Sequence, residues 1–258
     1  MNENELLTAS KERWNEAQIY EKNVWIKRNQ KNSYFKLIRR YISLLIKNPM
    51  NFLNAIQYYD FYCGDDGNLW WLKQFIYYRI LPKDIEKALE VGCGPFTNIR
   101  LISKYCKIKE IYCCDPSLDL YKTFKLTWLV RQIQKNNINV LNDKCEILSY
   151  KTNYFDLVIC INVLDHVQDA ICCLREIERV TKTGGFLVLG QDLTNIEDIE
   201  KLKGNIDEMG HPIKINHITI DNFLKNTYKS CLKKILPRNK GRNPRAHYGT
   251  YLFIGQKI

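Results

Sequence analysis

The chain has 258 residues, a formal net charge of +11, and 45% hydrophobic against 26% charged residues. That length suits one domain with an appendage around a large core, and the ordinary apolar content excludes a disordered or fibrous chain. The ten cysteines form no CxxC pair at zinc-ligand spacing, so no metal site is expected and the thiols read as reduced core residues.

The first residues, MNENELLTASKERWNEAQIYEK, are polar and lack the apolar centre of a secretory signal. The longest apolar runs, such as FDLVICINVL, are too short to span a bilayer. A cytoplasmic protein without a membrane partner is expected. The basic excess favours nucleic acid, an anionic membrane surface or an acidic small substrate, and does not choose among them.

Residues 1–82 read as a helical, aromatic-rich extension. WNEAQIYEKNVWIK and YFKLIRRYISLLIK place apolar residues three and four apart, and Asn48-Pro49 breaks the second run. FLNAIQYYDFYC then leads through a Gly64-Asp65-Asp66-Gly67 turn into NLWWLKQFIYYRILP. No catalytic motif falls here, so the segment is expected to form an extra helical layer or a lid.

Residues 83–258 alternate between strand and helix patterns. Strand one is IEKALEV, followed by the helix FTNIRLISKYC, strand two EIYCCD and one long helix over SLDLYKTFKLTWLVRQIQKN. INVLN is a weak strand three, FDLVICIN a strong strand four, DAICCLREIERVT a helix and GGFLVLGQ strand five. TIDNFLKNTY is a helix, CLKKIL strand six and YGTYLFIGQK strand seven. Such alternation predicts a doubly wound α/β fold, a mainly parallel sheet with helices on both faces. Strand seven follows strand six with no helix between them, so it should run antiparallel.

Glu90-Val91-Gly92-Cys93-Gly94-Pro95-Phe96 stands where strand one turns toward a helix, and Asp115 ends strand two. Glycines let the chain turn sharply and approach a ligand, and an acid at the second strand end reaches ribose hydroxyls in doubly wound folds. Pro95 has no amide to offer a phosphate. The turn therefore suits a nucleoside ligand without phosphate better than a nicotinamide dinucleotide.

Four segments, ALEVGCGPFTNI, IYCCDPSLDLY, CEILSYKTNYFDLVICINVLDHVQD and EIERVTKTGGFLVLGQ, resemble the class I S-adenosylmethionine (SAM)-dependent methyltransferases, in the group acting on small molecules. The resemblance spans roughly residues 84–258. It implies a Rossmann-like sheet of order 3-2-1-4-5-7-6 with strand seven antiparallel, and SAM as cofactor. It implies that Glu90, Gly92, Cys93, Gly94, Asp115, Pro116, Cys145, Glu146 and Asn162 form the cofactor site, with Asp115 on the ribose. Two positions depart from the family pattern. Phe96 stands where many members have a third glycine, which reshapes the methionine side, and Lys144 stands where an aspartate often precedes the adenine loop. Adenine contact then rests on the backbone near Cys145 and on Glu146. Asn162 has a competing reading as a helix cap.

Methyl transfer is an in-line displacement that needs alignment, and a hydroxyl acceptor also benefits from a general base. His166 after strand four, His211 after strand five and His247 before strand seven fall at the carboxyl edge, where ligands of open α/β sheets bind. His166 and His211 are the candidate catalytic residues, while His217 reads as structural. The segment from Lys233 to His247 is dense in positive charge. Its Arg238, Arg242, Arg245 and His247 are candidate contacts to an anionic acceptor, against the alternative of a solvated basic turn. The expected acceptor is a small anionic metabolite, such as a phosphorylated, nucleotide-linked or surface-glycan (capsule polysaccharide) precursor, methylated on oxygen or nitrogen. The alternatives are an RNA methyltransferase and a non-catalytic SAM-fold binding protein. The Asn/Asp-Pro-Pro-aromatic turn and the Pro-Cys nucleophile of base methyltransferases are absent from this sequence, so nucleic acid is not the expected partner.

Overall fold

A computed structural model describes residues 7–30, 34–47, 68–125, 127–194, 209–242 and 249–258. Among the described residues, three α-helices precede the sheet: α1 (Lys11–Gln30), α2 (Tyr34–Lys47) and α3 (Asn68–Gln74). The Ser10 hydroxyl caps α1 by accepting from the Arg13 amide at 3.1 Å.

Seven strands follow: β1 (Asp84–Val91), β2 (Lys107–Cys114), β3 (Asn139–Leu141), β4 (Phe155–Ile161), β5 (Thr181–Leu193), β6 (Tyr228–Pro237) and β7 (Gly249–Lys257). They form one sheet in the order β3-β2-β1-β4-β5-β7-β6. Pairing is parallel from β3 through β5, and β7 runs antiparallel to both β5 and β6. This is the expected topology. β4 lies between two parallel neighbours with both faces covered, which is why its LVICI stretch, after Asp156 near the strand's start, is continuously apolar instead of alternating.

Several boundaries differ from the sequence reading. The single helix expected over residues 117–136 is two, α5 (Leu118–Lys122) and α6 (Trp128–Gln134). Thr127 restarts the second by accepting from the Val130 amide at 3.2 Å, a local side-chain bond that competes with helix continuation. The helix after β1 shrinks to α4 (Ile99–Ile102). The helix after β4 is α7 (Ala170–Val180), capped by Asp169, and the last is α8 (His217–Leu224), capped by Asn216. Tyr228, expected at a helix end, begins β6.

Two cores cover the two faces of the sheet. Trp71, Leu72, Phe75 and Tyr78 of the N-terminal extension are buried in one of them beside Leu101 and Leu118. Each such side chain contributes about 1.5–3 kcal/mol, so α3 belongs to the core. Trp71 packs so closely on β5 that a Cβ at Gly190 would meet its ring at 2.8 Å. Residues 7–9 add a second attachment. Ala9 N donates to Gln168 O and Ala170 N to Leu7 O, pinning the start of the extension to the loop before α7. No helix among the described residues is long and apolar enough to cross a membrane.

Candidate active site

A cavity of about 390 Å³ opens at the carboxyl ends of β1, β2 and β4, within the roughly 300–1,000 Å³ usual for small-molecule sites. One wall is the glycine turn. Gly92 and Gly94 have φ of +59° and +55°, the left-handed region where a side chain is strained. At Gly92 a Cβ would also strike Val163 at 2.5 Å. Gly94 donates its amide to Asp115 Oδ2 at 3.1 Å, and Ser117 N donates to Oδ1 at 2.8 Å. The two motifs read separately from the sequence are thus one hydrogen-bonded unit. Burial, the dominant influence, pushes the Asp115 carboxyl up to about 7, and the Glu21 carboxylate adds to that rise. Cys93 and Pro116 line the same wall.

Glu90 lies beneath this wall and is not among the lining residues. Its carboxylate accepts from Asn98 N at 2.7 Å, Asn98 Nδ2 at 3.1 Å and Ile99 N at 2.9 Å. It therefore anchors the start of α4 and shapes the glycine turn from behind. Burial raises it to about 7 against the pull of those three donors.

Cys145 and Glu146, expected from the sequence at the adenine, both line the cavity. Glu146 accepts from the Gln168 amide at 2.6 Å, so its side chain braces the loop after β4. Lys144 places its ammonium 3.9 Å above the Trp14 ring.

The facing wall centres on Asp165, His166 and His211. His166 Nδ1 lies 3.0 Å from the Gly210 carbonyl and 3.5 Å from Glu21 Oε2. Its Nε2 is 3.6 Å from Asp165 Oδ1, and His211 Nε2 is 3.7 Å from Asp165 Oδ2. The imidazoles are 4.6 Å apart between centroids and line the cavity, while Asp165 lies fully buried behind them. Burial opposes protonation of His166, but Glu21, Asp165 and the Gly210 carbonyl together hold its pKa above the ordinary value.

The roof is α1. Trp14, Gln18, Glu21, Trp25 and Arg28 all line the cavity. Their spacing of three or four residues puts them on one helical face. Trp14 Nε1 and Gln18 Nε2 each donate to the His166 carbonyl at 3.2 Å, and Arg13 Nη1 donates to Met209 O at 3.0 Å. Trp25 packs against Phe96 and Tyr121 at 5.8 and 6.4 Å between centroids. The residue standing for a third glycine thus meets the roof. The apolar spacing of α1 is visible in the sequence, but no residue there is marked as part of a site. The available signal was Gln18 and Glu21 lying between two tryptophans on a stripe otherwise suited to a core.

Asn162 ends β4 with φ +57° and caps no helix. With its amide nitrogen turned to Asp192 and its oxygen to Arg242, it donates to Asp192 Oδ2 at 3.1 Å and accepts from Arg242 Nη2 at 3.2 Å. Arg242 lines the cavity, but its guanidinium grips the fully buried Asp192, Nη2 at 2.5 Å and Nε at 2.8 Å. Thr250 Oγ1 donates to the same carboxylate at 3.0 Å. The arginine expected to hold an acceptor is thus first a structural counter-ion. Arg238 begins a 3₁₀ turn after β6 and is not among the lining residues. Arg245 and His247 lie outside the described residues.

These residues fit SAM. The ligand needs a carboxylate for its ribose and anionic surroundings for its sulfonium and ammonium groups. Asp115 is placed to supply the first, and Glu21 and Glu146 share the cavity with it. No phosphate cradle is required, and Pro95 supplies no amide.

Residues 89–189 match the family model described as a methyltransferase domain. The chain is 31% identical over 109 residues to an uncharacterised methyltransferase of Schizosaccharomyces pombe, covering 41% of this chain and 39% of that protein. It is 34% identical over 138 residues to an uncharacterised protein of Methanocaldococcus jannaschii, covering 53% and 54%. The chain thus spans about half or less of the curated relatives it matches. Its fold is similar to the N-methyltransferase NodS of Bradyrhizobium japonicum in complex with S-adenosyl-L-homocysteine. That likeness has a TM-score of 0.54 at 13% identity, covering 75% of this chain and 88% of NodS.

Proposed function

We propose that this chain, which carries a class I SAM-dependent methyltransferase domain, is an enzyme that methylates an oxygen, or a nitrogen, of a small anionic metabolite in the cytoplasm. The observation that carries this reading is the continuity of one cavity. The Gly92–Asp115 wall suits the nucleoside, and the His166–His211 wall faces it under the roof of α1. Such a layout holds two reactants side by side and shields them from water, which is most of what a displacement at a methyl group requires.

Anionic character in the acceptor is supported by Arg28 and Lys144 at the cavity, Arg242 being held by Asp192. Phosphorylated, nucleotide-linked or surface-glycan precursors are the classes that match. Activation of the acceptor is assigned to His166 and His211. In the reaction the acceptor's lone pair bonds the methyl carbon as the carbon–sulfur pair returns to sulfur.

The test is calorimetric titration of SAM, followed by incubation with pools of phosphorylated and nucleotide-linked metabolites and mass detection of a 1:1 pair of S-adenosylhomocysteine and methylated product. Absence of SAM binding by the folded chain overturns the reading. A product found only with RNA moves it to nucleic acid.

A further inference from the structure

We propose that Asp165, His166 and His211 form a binding site for a divalent first-row transition-metal ion at the acceptor side of the cavity. One ligand atom from each residue lies within 4.8 Å of the others. The separations of Asp165 from the two Nε2 atoms, 3.6 and 3.7 Å, exceed an N–H···O hydrogen bond of about 2.7–3.2 Å. They lie close to the roughly 3.3 Å between two ligands sharing a tetrahedral ion at bond lengths of about 2.0–2.1 Å. The spacing suits three ligands around one ion.

The surroundings also suit an ion. A metal-bound histidine generally donates its other ring N–H to a carbonyl or carboxylate, which sets the tautomer and aims the free lone pair at the metal. His166 Nδ1 lies 3.0 Å from the Gly210 carbonyl, so in that tautomer its Nε2 lone pair faces Asp165. The His166 backbone is held in turn, because its carbonyl takes hydrogen bonds from Trp14 and Gln18. Asp165 is fully buried, and a buried carboxylate favours a cationic neighbour. Two imidazoles and one carboxylate make an N,N,O set typical of divalent iron, cobalt, manganese or zinc, with positions left for water or substrate.

The role assigned to the ion rests on the methyl-transfer reading, although the site itself does not. The ion takes the acceptor's hydroxyl oxygen at an open position, and the proton leaves to solvent. The oxygen lone pair then forms the bond to the methyl carbon, and the carbon–sulfur electron pair returns to sulfur. An acceptor with a second oxygen beside the first, such as a vicinal diol or hydroxy acid, would chelate. This narrows the substrate class.

Cobalt(II) is the probe, titrated into the chelator-treated full chain and followed by its visible absorption. The expected result is one ion per chain with a nitrogen/oxygen-ligand spectrum. His211→Ala should weaken binding by roughly a hundredfold or more while leaving SAM affinity unchanged. Asp165→Asn should do the same if it folds, and the partly exposed His211 gives a variant that keeps the test open if it does not. No bound cobalt, an intense thiolate charge-transfer band marking cysteine ligation, or wild-type affinity in His211→Ala would each overturn the site. Titration of SAM on the same samples separates the two ideas. Cobalt binding without SAM binding leaves the ion site standing and removes the methyltransferase reading, and the converse removes only the ion.

Discussion

The wall made by Gly92, Gly94 and Asp115 comes from consecutive strand ends, its two halves 21 positions apart along the chain. The facing wall gathers α1, the turn after β4, the loop at Gly210 and Arg242, with contacts that reach across as many as 196 positions. The first is built of backbone conformation and one carboxylate. The second is built of side chains whose meaning depends on partners that only folding supplies. A wall of the first kind is fixed by backbone geometry. A wall of the second kind can change its ligand by changing any one of its segments.

The largest expected effect lies on the second wall. His211→Gln or His166→Gln should lower turnover by about 10²–10⁴-fold while sparing SAM affinity. Single-turnover and binding measurements on the same variant read both. If SAM binding falls in parallel, the two walls are not separable.

Next comes stability. Arg242→Ala removes the guanidinium from fully buried Asp192, and denaturant melts should show a loss of about 2–4 kcal/mol, discounted for the partial exposure of the arginine. Arg242→Ala with Asp192→Asn should recover part of it. A melt unchanged in Arg242→Ala would free this arginine for the substrate role read from the sequence.

A smaller effect belongs to the first wall. Asp115→Ala should weaken SAM by roughly 1–3 kcal/mol without destroying the glycine turn, as calorimetry can show. Equal affinities would take Asp115 out of the ribose site.

The smallest effect sharpens that assignment. Burial raises Asp115 to about 7, and ribose hydroxyls donate to the carboxylate form. Binding should therefore release a proton near and below pH 7. SAM affinity should climb as pH rises toward 7 and level off above it. The free fold follows the opposite sign. A carboxyl raised on folding stabilises fully below its unfolded value of about 4, and that contribution is lost as pH rises through 7. Calorimetry in buffers of different ionisation enthalpy measures the released proton, and Asp115→Asn should abolish it.

The mainly parallel sheet, the antiparallel β7 and the glycine turn next to the strand-end Asp115 were legible in the residues themselves, while the order of the seven strands was implied by the family resemblance. Periodicity of apolar residues and left-handed turn chemistry are local properties, and a βαβ unit places consecutive strand ends side by side. Glu90 was legible as a polar residue of the motif but not in its task, because only the packed turn shows that Asn98 and Ile99 occupy its carboxylate. The break between α5 and α6 was hidden because the 117–136 run keeps a helical apolar period, while one threonine hydroxyl decides where the backbone restarts.

What the chain by itself determined is therefore the sheet and the glycine–Asp115 wall of the cavity, whose parts lie close along the sequence and are specified by backbone geometry. Tertiary structure alone decided that α1 roofs the site, that Arg242 is locked to Asp192, and that Asp165, His166 and His211 meet. No local spacing announces those ligands, since His211 arrives from a loop 45 residues beyond His166. The physical reason is that a buried charge or an imidazole acquires its function from what packs against it. Those neighbours are chosen by long-range burial instead of by adjacent residues.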